Sequence, residues 1–108
     1  MPLLSLALKP DIRVQLVKIA EAHHISYLAI FGSFARGTAV STSDIDIAVR
    51  FAQPIDLLEF VGIQLEMEEL LGRPVDLIPV DDAYPFVRES MARDLTVLYE
   101  APSHVDQQ

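Results

Sequence analysis

FGSFARGTAVSTSDIDIAVRF, Phe31 to Phe51, is the stretch whose reading decides the fold. It opens on a Gly-Ser pair at the end of an apolar run. Ten residues follow, and then Asp44-Ile45-Asp46 begins a second run in which apolar and polar residues alternate. Strict alternation is the period of a strand half-covered by other elements. Ile45, Ile47 and Val49 therefore point one way, and Asp44, Asp46, Ala48 and Arg50 the other. Two carboxylates two residues apart on a strand share a face and stand roughly 7 Å apart. Like charges held together repel, and a hard divalent cation, which takes oxygen ligands, is the economical reason to place them so. Taken alone, the pair is also what a strand start or a turn cap would use.

The flanking chain supplies the rest of a sheet. Upstream, Ser26 to Phe31 is nearly all apolar and predicts a covered central strand. Gly32-Ser33 ends it. Gly admits a close backbone approach, and a strand end running into a helix N-terminus offers N–H groups and a hydroxyl to phosphate. Phe34-Ala35-Arg36 predicts a short helical turn stopped by Gly37, and Thr38 to Ser43 a polar loop. Lys9 to His24 predicts a helix, with Pro10 in its first turn and Asp11 at its positive end. Ile12, Leu16, Ile19, Ala20 and His23 form its buried stripe. His23 and His24 lack further ligands at zinc spacing and read as a polar helix end.

Downstream, a helix is expected from about Pro54 to Leu71, closed by Gly72 and Pro74. It has two apolar faces, Leu57/Leu58/Val61/Leu65 and Phe60/Ile63/Met67/Leu70/Leu71. One of them must be buried and the other either buried or covered by a partner. Glu66, Glu68 and Glu69 are expected to be solvated. Val75 to Val80 predicts a third strand, with Asp76 inside an apolar run where an unpaired charge is costly. Tyr84 to Ala92 predicts a short helix and Leu95 to Tyr99 a fourth strand. The expected architecture is α/β, a small mixed sheet flanked by helices. One domain spans 1–100, and 101–108 form a tail.

Composition narrows the function classes. A chain of 108 residues with 51% apolar content holds a core, but it leaves no room for a separate substrate domain. Without cysteine it has no disulfide or thiolate chemistry. No apolar run reaches the length of a membrane span. MPLLSLALKP has neither the basic start nor the cleavage pattern of a signal peptide, so a cytoplasmic location is expected. The net charge of −8, with 8 scattered basic residues, argues against gripping a long nucleic acid. It leaves open a metal-chelated nucleotide and a basic protein partner. No Walker pattern is present.

Gly32-Ser33, ten residues, then Asp44-x-Asp46 resembles the G-S-x10-D-x-D signature of the DNA polymerase beta-like nucleotidyltransferase superfamily. The text GSFARGTAVSTSDIDIAV is similar to its minimal nucleotidyltransferase (MNT) branch. Asp76 in VDLIPV matches the setting of that family's third carboxylate, and the closing VLYE is also similar. The resemblance covers nearly the whole chain. It implies a polymerase beta-like palm fold and transfer of AMP from ATP to a hydroxyl. Asp44, Asp46 and Asp76 would hold two Mg2+ ions, about 3.5–4 Å apart in such sites. Gly32 and Ser33 would hold the β- and γ-phosphates, and Arg36 would touch phosphate or brace a carboxylate. It also implies a partner, a HEPN-type RNase toxin bearing the acceptor tyrosine, with this chain as its antitoxin. The alternative is an antitoxin that neutralises its partner by masking, without catalysis. Transfer to a small molecule is the weaker third reading, because larger relatives use an added domain for it.

Overall fold

The computed structural model describes residues 9–32, 44–82 and 95–101, with 85, 88, 89 and 93. In chain order these give α1 (Pro10–Ala22), β1 (Ile25–Phe31), β2 (Ile45–Phe51), α2 (Leu57–Leu71), β3 (Val75–Pro79), a 3-10 turn at Val80–Asp82 and β4 (Leu95–Glu100). The sheet has the order β3-β2-β1-β4. β2 and β3 are parallel and joined through α2, while β1 pairs antiparallel with both β2 and β4. A parallel pair needs a crossover of this kind, so the mixed sheet expected from the sequence follows from the order strand, helix, strand. The expected short helix over Tyr84–Ala92 lies mostly outside the described residues. Pro85, Arg88 and Glu89 within it are helical. The turn expected at Phe34–Arg36, the loop 38–43 and the tail beyond residue 101 lie outside them as well.

Alternation along each strand sorts the sheet into two faces. Leu28, Ile30, Ile45, Ile47, Val49, Val75, Leu77 and Leu98 form one core with Leu16, Ile19 and Ala20 of α1 and Ile63, Met67 and Leu71 of α2. Removing apolar area of this kind from water is the main term favouring the fold. Truncating the fully buried Met67 to Ala is worth about 2–5 kcal/mol. The opposite face carries a second buried cluster, Phe31 and Ala48 packed with Tyr27, Ile78 and Val80.

Local chemistry sets the helix ends. α1 stops at Ala22, with His23 as its C-cap. His24, at φ 59°, then turns the chain toward β1. The imidazole of His23 joins the two helices, with Nδ1 3.0 Å from Glu59 Oε2 and Nε2 3.4 Å from Glu66 Oε1. α2 begins at Leu57, not at Pro54. Asp56 is extended, and its Oδ1 accepts the Glu59 N–H at 2.7 Å, which satisfies one of the free donors of the first turn. The helix ends at Gly72, which is left-handed. The expectation of a merely solvated acidic face is corrected at Glu68, whose Oε2 accepts the Val75 N–H at 2.9 Å. That bond ties the end of α2 to the start of β3. On the other side of α2 the second apolar face is open: Leu57 is 77% and Leu58 82% exposed, and Val61 and Leu65 are exposed with them.

Candidate functional site

β1 delivers the chain to the site and β2 and β3 furnish its carboxylates. Phe31, the last residue of β1, pairs across the sheet with Asp46, and Asp46 pairs on its other side with Asp76. Paired residues share a face, and neighbouring strands lie about 4.8 Å apart. Asp46 and Asp76 are therefore adjacent on the face turned away from α1 and α2. Asp44 is exposed, directly precedes β2 and has the same parity as Asp46. The sequence placed Asp76 in a buried setting. It is exposed instead, because β3 is an edge strand. Its apolar neighbours Val75 and Leu77 turn toward the helices, while Asp76, at the alternate position, is exposed.

Gly32 follows Phe31 with φ +76°, a conformation that glycine adopts without strain. Its place over Asp46 is a second reason for glycine. A Cβ there would collide with Asp46 Oδ2 and lie 3.3 Å from Asp46 Cγ. The Gly32 backbone and the Asp46 carboxylate thus occupy one cradle that only a residue without a side chain leaves open. Ser33 and Arg36, the other residues assigned to phosphate from the sequence, lie outside the described residues.

The donor set of Asp44, Asp46 and Asp76 is all oxygen and suits a hard divalent cation. The strand register brings two of the three together, and the third precedes them by two residues. Among the described residues, no three carboxylate or imidazole side chains are gathered as ligands of one ion. Like-charged carboxylates favour rotamers that separate them. Backbone placement and donor chemistry fit a cation.

Farther along the same face lies a cleft of ≈ 400 Å³ lined by Tyr27, Ala48, Arg50, Val80, Asp81, Arg88 and Leu95. Arg50 pairs with Tyr27 across β1 and β2, its guanidinium 5.8 Å from the ring centroid. Arg50 Nη2 is 3.5 Å from Asp81 Oδ1, and Arg88 Nη2 donates to the Asp81 carbonyl at 3.1 Å. Burial pushes the Tyr27 phenol above its ordinary value of 10.0; Glu100 adds to this and Arg50 opposes it. The sequence put Arg50 on the face of Asp46 but gave it no role, and it did not single out Tyr27 or Arg88. The signal for Arg50 was the period of two. The others meet it only through strand pairing and the β3–β4 connection.

Residues 14–104 match the family model described as Polymerase beta, Nucleotidyltransferase. A chain of Methanocaldococcus jannaschii assigned to the protein adenylyltransferases is 33% identical over 84 residues, 78% of this chain and 90% of that one. A crystal structure of a toxin–antitoxin with AMP-PNP is similar in fold, with a TM-score of 0.71 at 23% identity, covering 87% of this chain and 76% of that one. So is a structure of a tri-AMPylated HEPN toxin of Shewanella oneidensis in complex with its MNT antitoxin, with a TM-score of 0.64 at 20% identity, covering 87% and 72%. No helix of the described residues is long and apolar enough to cross a membrane.

Proposed function

The chain belongs to the polymerase beta-type nucleotidyltransferase family, and we propose that it transfers AMP from Mg2+-bound ATP to a tyrosine hydroxyl of a HEPN-type toxin, as that toxin's antitoxin. The observation that carries this reading is the in-register pair Asp46 and Asp76 beside the Gly32 cradle. A pure mask has no use for three acidic residues at one end of one sheet face.

Asp44, Asp46 and Asp76 would hold the Mg2+. When bound, the metal neutralises phosphate charge and lowers the pKa of the attacking hydroxyl. The protein's own share is placement. Gly32 lets the backbone approach a phosphate oxygen without a Cβ in the way, and Ser33 and Arg36 are assigned to the same phosphates. The acceptor oxygen forms its bond to the α-phosphorus, the bond to the bridging oxygen of the β-phosphate breaks, and pyrophosphate leaves. Asp76, solvent-exposed on the edge strand, would take the proton that the hydroxyl releases. An exposed carboxylate edge also suits an acceptor that belongs to a macromolecule.

Two further features support a protein partner. The open leucine face of α2 gives an apolar surface of the kind that partners cover. A net charge of −8 complements a basic, RNA-binding protein. The test is transfer of label from ATP labelled at the α-phosphate to the HEPN-type partner in Mg2+. The expected result is label on the partner, lost in Asp44→Asn/Asp46→Asn and in chelator. Silencing of the toxin by the double variant, with no label transferred by either form, would count for masking instead.

A further inference from the structure

Asp76 meets Asp46 only because β3 lies in one register against β2, and β3 has little of its own to hold that register. It is a strand of five residues at the edge of the sheet. Val75 and Leu77 are buried on either side of Asp76. A slip of one residue would turn that apolar pair away from the core, so it is forbidden. A slide of two is not, because it keeps every side chain on its face. Such a slide, about 6.6 Å along the strand, would set Asp76 against Asp44 or Ala48 in place of Asp46. The apolar pattern therefore leaves the phase of the two carboxylates open.

Glu68 of α2 closes it. Its backbone carbonyl accepts the Gly72 N–H at 2.8 Å, and its Oε2 accepts the Val75 N–H at 2.9 Å. One residue thus fixes both ends of the connection from α2 to β3. Between them, the Pro74 carbonyl accepts the Ile45 N–H at 2.9 Å, which ties that connection to the start of β2. Ile45 stands between Asp44 and Asp46, and Val75 directly precedes Asp76. The three bonds run from the end of α2 to the residues beside the carboxylates.

We propose that Glu68 is a positioning residue for nucleotidyl transfer: by pinning the start of β3 it sets the phase at which Asp76 faces Asp46, so that both can serve one metal site. The inference rests on the transfer proposed above. α2 packs on the other face of the sheet from the carboxylates, so Glu68 acts through the backbone and touches neither metal nor substrate. The role demands reach, not charge. A glutamine amide oxygen accepts the same N–H at the same length of side chain, whereas an aspartate falls one methylene short. Groups that orient metal ligands typically cost 10–100-fold in metal affinity or activity when lost.

The experiment compares Glu68→Ala, Glu68→Asp and Glu68→Gln in the full chain. Glu69→Ala is the control, since Glu69 is the exposed acidic neighbour on the same helix. Three quantities are read where urea curves show each variant folded: kcat and KM for AMP transfer to the HEPN-type partner, Mg2+ affinity by calorimetry in the presence of AMP-PNP, and amide exchange at Ile45. Glu68→Ala and Glu68→Asp should each lower kcat about 100-fold with the partner's KM unchanged. They should weaken Mg2+ about tenfold and speed exchange at Ile45, whose acceptor is the Pro74 carbonyl. Glu68→Gln and Glu69→Ala should match the wild type in all three. If Glu68→Ala does not fold, the contrast of Asp with Gln decides alone. Wild-type kcat and Mg2+ affinity in a destabilised Glu68→Ala or Glu68→Asp would overturn the proposal and leave Glu68 a purely structural residue. A Glu68→Gln variant as impaired as Glu68→Ala would overturn it too, by giving the role to charge. A wild-type chain that transfers no AMP would overturn the transferase reading, and the Mg2+ affinities would then decide whether Glu68 positions the carboxylates.

Discussion

Gly32→Ala separates the backbone role of that glycine from its role as a cradle, because Gly72 provides a matched control. Gly32 and Gly72 have nearly the same φ, +76° and +74°. An L-residue in that conformation costs about 1–2 kcal/mol, so both alanine variants should lose about that much in urea unfolding. They differ in surroundings. A Cβ at Gly72 meets nothing within 4 Å, whereas one at Gly32 meets the Asp46 carboxylate. That carboxylate is the end of a short side chain and can swing aside, so the collision adds little to the stability cost. What changes is where Asp46 points. A displacement of about 1 Å at a reacting centre costs on the order of 100-fold in rate. Gly32→Ala should therefore cut AMP transfer about 100-fold while staying folded, and Gly72→Ala should transfer at nearly the wild-type rate. Equal rates for the two variants, in either direction, would refute the cradle. So would a stability loss at Gly32 several kcal/mol beyond that at Gly72, which would make the contact structural.

Three other outcomes follow from the packing and charges. Glu68→Ala leaves the half-buried Val75 N–H without its acceptor and should cost about 1–3 kcal/mol in urea unfolding. Leu57→Ser/Leu58→Ser, at positions 77% and 82% exposed, should change stability by less than about 0.5 kcal/mol per site. If α2 docks the toxin, calorimetry should show affinity lost by tenfold or more. Tyr27 is raised above 10.0 by burial first, then by Glu100. The folded state holds the phenolic proton more tightly than the unfolded chain, so the stability from this group is complete below pH 10. It is lost as pH rises through the folded value, and Tyr27→Phe should flatten that alkaline loss in unfolding curves.

Much of the site was legible because strands are periodic. The alternation of Asp44 to Arg50 fixed the face of Asp46 without any contact being known, and Gly32-Ser33 marked the strand end. The environment of Asp76 was misread because apolar neighbours in sequence were taken for burial. Val75 and Leu77 face the helices, and Asp76, at the alternate position of an edge strand, is exposed. Glu68 was read as merely solvated because its partner, the Val75 N–H, depends on how α2 meets β3. The Tyr27–Arg50–Asp81–Arg88 constellation depends on the β1–β2 register and on the chain beyond β3, neither of which is local in sequence.

The most direct measurement is the intact mass of the HEPN-type partner after incubation with this chain, ATP and Mg2+. The account predicts a gain of one or more AMP units, mapped to a tyrosine, and no gain with Asp44→Asn/Asp46→Asn. A partner of unchanged mass, held silent in a stable complex with the wild-type chain, would contradict it.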